Sequence, residues 1–316
     1  MTTYSLRRRA LVPLAGLLGL AVIFGMFTTP GLTATEQDEK TIFLSVVDKD
    51  GKSVRDLTTR DLAILEDRDE REVTNVKLST QPLAIVLLAD TTKQAGGTGM
   101  MSSQTSQTGA AELIRDIRVS LGTFMRDIST ANPASQMMLM EFGQAAVPVT
   151  KMTSDIAELE KGVTRLFPKP GAASVLLEAI IEASKELAKT TTPRRAIVAL
   201  NIEPGDEQSR QNIRQLHEGL VKAHTTLWAV SLQVGTNKNQ ARGLVLEKLT
   251  GDHGGRREFI QSQSALELIM KTFADNLLNQ YEVTYKRPVG ATPQRVLVGV
   301  KGRDGLKLHA SLIPPQ

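Results

Sequence analysis

Leu83-Ala84-Ile85-Val86-Leu87-Leu88-Ala89-Asp90 decides the fold of this 316-residue chain. Seven apolar residues run without interruption into one carboxylate. A strand with one wet face alternates apolar and polar residues, whereas a strand covered on both faces does not. The run therefore predicts a central strand of a parallel sheet, with Asp90 at its end. Arg195 to Leu200 and Thr226 to Leu232 read the same way.

Amphipathic segments separate these runs. Leu113, Ile114, Ile117, Leu121, Met125 and Ile128 share one face at helical spacing, which predicts a helix over 110–128. Helices are likewise predicted over 173–189, 207–224, 240–249 and 264–279. Gln136 to Phe142 and Ala145 to Val149 flank Gly143-Gln144 as a hairpin, and Arg257 to Ile260 reads as a short last strand. Strands alternating with helices imply an α/β fold, a doubly wound, mostly parallel sheet flanked by helices.

The flanks read as β structure. Strands are predicted at Thr41 to Val47, Leu62 to Leu65 and Val73 to Val76, with a single helical turn over 56–61. Behind the last helix come Tyr281 to Tyr285, Arg295 to Val300 and Leu306 to Ile313. The last two flank Gly302-Arg303-Asp304-Gly305 and predict a second hairpin. Glu66, Asp67, Asp69, Glu70 and Glu72, interleaved with Arg68 and Arg71, are expected on a solvated turn and strand edge. Short hairpins need partners to bury an apolar face. The flanks, 35–80 and 280–316, are thus expected to pair into one small β-rich domain, with an α/β domain over 81–279 inserted between them.

Residues 1–34 stand apart. Arg7, Arg8 and Arg9 precede an uncharged apolar run over 10–27, and Leu32-Thr33-Ala34 offers a small-residue cleavage site. This is the pattern of a secretory signal peptide. The run is also just long enough to span a thin bilayer, which makes it an uncleaved signal anchor as the alternative. In both cases the arginines stay cytoplasmic and the remainder is exported. The product is then periplasmic or secreted, or anchored to the inner membrane by residues 10–27. The pI near 9.2 hints at nucleic acid, but residues 1–34 carry three arginines and no acid. Without them 35 basic residues face 34 acidic ones, so no nucleic-acid partner is expected. The absence of cysteine excludes disulfides, thiolate-held metals and a thiol nucleophile.

Ligands of an open α/β sheet bind beyond the carboxyl ends of its strands. There, Asp90 is followed by Thr92 and Gln94 at alternate positions, an oxygen set that suits Mg²⁺ or Mn²⁺. The order of elements over 83–279, with the run ending in Asp90, Met138-Leu139-Met140-Glu141-Phe142 and Arg194-Arg195-Ala196-Ile197-Val198-Ala199-Leu200, resembles the von Willebrand factor type A domain. Thr250-Gly251-Asp252-His253-Gly254-Gly255-Arg256 looks like that family's Thr-Gly-Gly turn before its last strand. The flanks resemble a bacterial exported subgroup. Its opening is similar to Val47 through Thr58 leading into Asp61-Leu62-Ala63-Ile64-Leu65-Glu66-Asp67, and its closing motif to Gln280-Tyr281-Glu282-Val283-Thr284-Tyr285.

The resemblance implies a metal-ion-dependent adhesion site of the pattern Asp-x-Ser-x-Ser with a distant Thr and a distant Asp. Asp90 matches the first position, Thr92 replaces the first Ser, and Gln94 stands where the second belongs. The distant Thr maps best to Ser174, with Ala173 as the neighbouring alternative. The distant Asp falls in Asn201-Ile202-Glu203, where Ile202 cannot bind a cation; Glu203 and Asp206 are the nearby acids. The expectation is a degenerate site, with no cofactor, in an exported, non-enzymatic module that binds a protein partner at the envelope. Thr91, Gln94, Glu203 and Asp206 are its candidate contact residues. The alternative is a Mg²⁺- or Mn²⁺-dependent receptor, or an envelope enzyme, using Asp90 and one of those carboxylates. No Gly-x-Ser-x-Gly elbow, His-Glu-x-x-His pair or P-loop is present, and the four histidines are scattered.

Overall fold

The computed structural model describes residues 36–92, 103–169, 173–203, 205–233 and 239–315. The apolar run over 10–27 and Gln94 lie outside them. Among the described residues, no helix is long and apolar enough to cross a membrane.

The chain opens with β1 (Gln37–Val47), β2 (Leu62–Glu66), β3 (Asp69–Arg71) and β4 (Val73–Leu78). It closes with β11 (Tyr281–Pro288), β12 (Val296–Val300) and β13 (Lys307–Ala310). These flanks build two antiparallel sheets, ordered β13-β1-β11-β4 and β12-β2-β3. Leu44, Val46, Leu62, Ile64, Tyr281, Val283, Tyr285 and Val296 fill the core between them. β11 alternates buried and half-buried positions along its length, as a strand covered on one face does.

Three readings of the flanks are corrected. The segment 56–61 is not a helical turn. Asp61 Oδ2 accepts the N–H and the O–H of Thr58, both at 2.7 Å, and closes a simple turn. The tail does not form a hairpin, because β12 pairs with β2 and β13 with β1. Each strand reaches a different sheet, since both sheets need an apolar strand to close the core. Glu66 is not on a solvated edge. It is fully buried, and its carboxylate accepts from Tyr285 Oη (2.6 Å), Arg287 Nε (2.8 Å) and Arg71 Nε (3.0 Å). Burial alone would raise its pKa, but the bonds from Arg287, Tyr285 and Arg71 hold it below the ordinary value.

Between the flanks run β5 (Leu83–Asp90), α1 (Ser103–Ala131), β6 (Gln136–Phe142), β7 (Ala146–Pro148), α2 (Ile156–Thr164) and α3 (Leu176–Ala188). Then follow β8 (Arg194–Glu203), α4 (Ile213–Ala223), β9 (Thr225–Gln233), α5 (Gln240–Asp252), β10 (Arg257–Ile260) and α6 (Leu266–Leu278). The sheet order is β10-β9-β8-β5-β6-β7. Its first five strands are parallel, and β7 pairs antiparallel with β6 to make the expected hairpin. Leu83, Ile85, Leu87 and Ala89 of β5 point to the layer holding α1, α2 and α6. Ala84, Val86 and Leu88 point to the layer of α3, α4 and α5. All eight residues of β5 are buried, which is why its sequence does not alternate. The fold is thus the mixed α/β class expected, with β-rich flanks.

The helix predicted from residue 207 begins only at Ile213, where Asn212 and Gln215 form a capping box. Residues 207–209 instead fold over the start of α3. Glu207 Oε1 accepts from the Leu177 N–H (3.5 Å), and Ser209 Oγ accepts from the Glu178 N–H (3.1 Å). A carboxylate is favourable at a helix N-terminus. The helix α2, not expected from the sequence, starts at the N-cap Asp155, which accepts from Ala157 N–H and Glu158 N–H. In the Thr250 to Arg256 turn, Gly255 passes so close to β9 that a Cβ there would meet the Leu227 carbonyl oxygen at 1.8 Å. That contact, and not a ligand, requires the glycine.

Candidate functional site

The carboxyl ends of β5, β8 and β9 meet in a buried polar centre. Asp90 closes β5 and is fully buried. Its Oδ1 accepts the N–H (2.9 Å) and the hydroxyl (2.6 Å) of Thr92. Its Oδ2 accepts the Ile202 N–H at 2.9 Å, from the adjacent strand β8. Burial pushes the Asp90 carboxyl up to about 6, against the pull of these hydrogen bonds and of the Arg242 charge.

Ser174 lies just before α3 and is 1% exposed. Its N–H donates to the Asp206 carbonyl at 2.8 Å, and its own carbonyl accepts from the Gln208 N–H at 2.8 Å. Its hydroxyl oxygen accepts from Arg242 Nη1 at 3.0 Å. Ala173, the neighbouring alternative, has intermediate exposure. Glu203, at the end of β8, is also 1% exposed. Its carboxylate meets Arg242 Nη2 at 2.9 Å and Arg257 Nη2 at 3.6 Å, and accepts from Asn201 Nδ2 (3.1 Å) and the Asn239 N–H (3.2 Å). The Asn201 amide oxygen in turn accepts from Ser231 Oγ on β9 at 3.0 Å.

The candidate residues therefore divide. Asp90, Thr92, Ser174 and Glu203 belong to one buried network. Thr91 is also buried, and its hydroxyl donates to the Phe142 carbonyl at 3.4 Å, so its side chain offers no surface contact. Asp206 is exposed, and its carboxylate accepts from Gln208 Nε2 at 3.0 Å. Among the described residues, no three His, Asp or Glu side chains converge as a group able to hold a metal ion.

The centre of this network is Arg242, which the sequence reading did not single out. It lies in the first turn of α5, where a positive charge opposes the helix dipole. Its backbone N–H caps onto Asn239 Oδ1 at 3.0 Å. Its side chain is fully buried and meets Ser174 Oγ, the Ile202 carbonyl (2.8 Å), Glu203 and Glu207 Oε2 (3.5 Å). The signal was available in the spacing. Arg242, Leu246 and Leu249 fall on one stripe of α5, and all three are buried. A charge on an apolar stripe demands a buried partner.

Beyond this centre, the surface at the same end of the sheet carries Phe167, 61% exposed, with the Arg118 guanidinium 4.8 Å from its ring centroid. Lys169 follows and reaches Glu141 Oε1.

No protein-family model matches the chain, and no curated protein matches it. Its fold is similar to several solved structures. A von Willebrand factor type A protein from Catenulispora acidiphila is 9% identical, with a TM-score of 0.49, covering 87% of this chain and 74% of that one. Proximal thread matrix protein 1 from the mussel byssus, with a zinc-occupied MIDAS motif, is 11% identical at a TM-score of 0.48 over 67% of this chain. The PilB minor pilin from Streptococcus sanguinis is 12% identical at a TM-score of 0.46 over 64% of this chain. The chain spans 49% of the mussel protein and 62% of the pilin. These are likenesses of fold, to proteins that include von Willebrand factor type A domains.

Proposed function

We propose that this chain is an exported, non-enzymatic protein-binding module of the type A kind, whose metal-ion-dependent adhesion site is degenerate. One observation carries the reading. The oxygens that would hold a divalent cation are engaged by donors from the chain itself, with a guanidinium among them. Mg²⁺ needs about six oxygens at ~2.1 Å in octahedral geometry. Asp90 already accepts three hydrogen bonds, the Ser174 hydroxyl accepts from Arg242, and position 202 is an isoleucine. This donor set does not fit the ion.

The partner then meets the surface at this end of the sheet directly. Exposed Phe167 offers apolar area, Lys169 two residues on carries a charge shared with Glu141, and Asp206 is an exposed acid beside Ser174. An exposed aromatic held by a neighbouring guanidinium is a contact that loses little side-chain entropy on binding. Export is inferred from Arg7 to Arg9 and the apolar run over 10–27. The partner is accordingly a protein of the envelope, and the chain is either released after cleavage or held at the inner membrane by that run.

Crosslinking and capture from native envelopes, with and without a chelator, tests this reading. Capture that persists in chelator and weakens in Phe167→Ala is expected. Capture abolished by chelator and restored by Mg²⁺ or Mn²⁺ would support the metal-dependent receptor instead.

A further inference from the structure

We infer that the Arg242 guanidinium takes, from within the chain, the place of a bound cation at this end of the sheet, and that its removal would expose a divalent-cation site. The inference rests on the reading of the centre as metal-free in the wild-type chain.

Four oxygens surround the guanidinium within 3.5 Å: Ser174 Oγ, the Ile202 carbonyl, Glu203 Oε2 and Glu207 Oε2. They come from three separate segments, the approach to α3, the end of β8 and the loop after it. Two are carboxylate oxygens, one is a carbonyl and one is a hydroxyl. That is a hard-oxygen set of the kind divalent cations bind. Two carboxylates, Glu203 1% and Glu207 9% exposed, require a positive charge between them. Arginine meets that need from within the chain, with a planar fork of donors that reaches both carboxylates.

Two further observations set Arg242 apart from an ordinary buried ion pair. Its Nε is buried with no hydrogen-bond partner among the described residues. The surroundings are thus matched to its charge more closely than to its full set of donors. The backbone also closes over it: a Cβ at Gly205 would lie 1.9 Å from Nη1. The guanidinium is enclosed on that side, as a ligand is. A resident cation has a functional consequence. The site needs no metal from its surroundings and holds its loops in one state whatever the supply of divalent ions.

The test compares the full-length wild-type chain with Arg242→Ala and Arg242→Lys. MnCl₂ is titrated into each, with binding read by calorimetry and stability by thermal melting. The inference predicts that Arg242→Ala melts below wild type, binds one Mn²⁺ at least about tenfold more tightly than wild type, and regains melting temperature in Mn²⁺ or in dilute guanidinium. Arg242→Lys, which keeps a charge at the centre, gains no Mn²⁺ site. Adding Glu203→Gln to Arg242→Ala removes the gain. If Arg242→Ala folds only when Mn²⁺ is present, the inference also stands. Arg242→Ala that binds Mn²⁺ no better than wild type, or that folds in neither condition, overturns the inference and leaves the metal-free reading in place. Saturable Mn²⁺ binding by the wild-type chain overturns both.

Discussion

Arg242 Nη2 lies 2.9 Å from Glu203 Oε2, and neither side chain has more than 1% of its surface exposed. This contact joins the first turn of α5 to the end of β8. Removing one member of a buried pair leaves the other as an uncompensated charge, which costs about 3–5 kcal/mol. Arg242→Met is therefore expected to lower unfolding stability by about that much. Arg242→Met with Glu203→Gln should recover part of the loss, because the stranded charge goes too. Denaturant unfolding of the two variants checks this; equal losses would show that the pair does not couple.

Glu66 is the corresponding centre of the β-rich flanks. It collects Tyr285 and Arg287 from β11 and Arg71 from β3, with Arg287 Nη2 at 2.6 Å. Glu66→Ala should cost about 3–5 kcal/mol by the same reasoning. Because its folded pKa is lowered, its contribution is present above the ordinary carboxylate pKa and is lost as pH falls through and below that value. Urea midpoints measured from neutral pH downward should converge for wild type and Glu66→Gln in acid. Parallel curves would contradict the assignment.

His253 and His217, far apart in sequence, meet at Nε2 and Nδ1, 3.1 Å apart. One ring must donate and the other accept, so at least one nitrogen of the pair is unprotonated. Burial holds the His253 pKa down to about 4, with His217 and Lys248 lowering it further and Asp252 opposing them. The unfolded chain takes up a proton near the ordinary value of 6.5, before the folded one does. Stability from this group is thus complete above that value and falls as pH drops from 6.5 toward 4, by about 3 kcal/mol over the whole window. Thermal melts of wild type and His253→Gln across this range should show the slope reduced in the variant.

Phe167 tests the surface and not the core. At 61% exposure its truncation to Ala should change stability by less than about 0.5 kcal/mol. Partner capture should nonetheless fall. Unchanged capture would move the contact surface elsewhere.

The fold was largely legible because the buried strands advertise themselves. Leu83 to Ala89, Ala196 to Leu200 and Leu227 to Val230 are uninterrupted apolar runs of strand length, as strands covered on both faces are. The tail was misread for a physical reason: Gly302 to Gly305 has local turn chemistry, but the pairing of β12 and β13 is settled by distant strands. The helix α2 was missed because its buried face reduces to Leu159, Gly162 and Val163, too sparse a pattern for periodicity. At the site, Asp90 could be found from its place at a strand end. Arg242 could not be linked to it without the fold, since 152 residues separate them and only the α5 stripe marks the arginine as buried. Glu66 was misplaced because five acids and two arginines in a row look solvated, whereas one of them turns inward.

The most direct test of the metal-free reading is a calorimetric titration of the full-length chain with Mg²⁺ and with Mn²⁺. The engaged donors around Asp90 and the resident Arg242 charge predict no saturable binding of either ion. Stoichiometric binding that disappears in Asp90→Ala would contradict it.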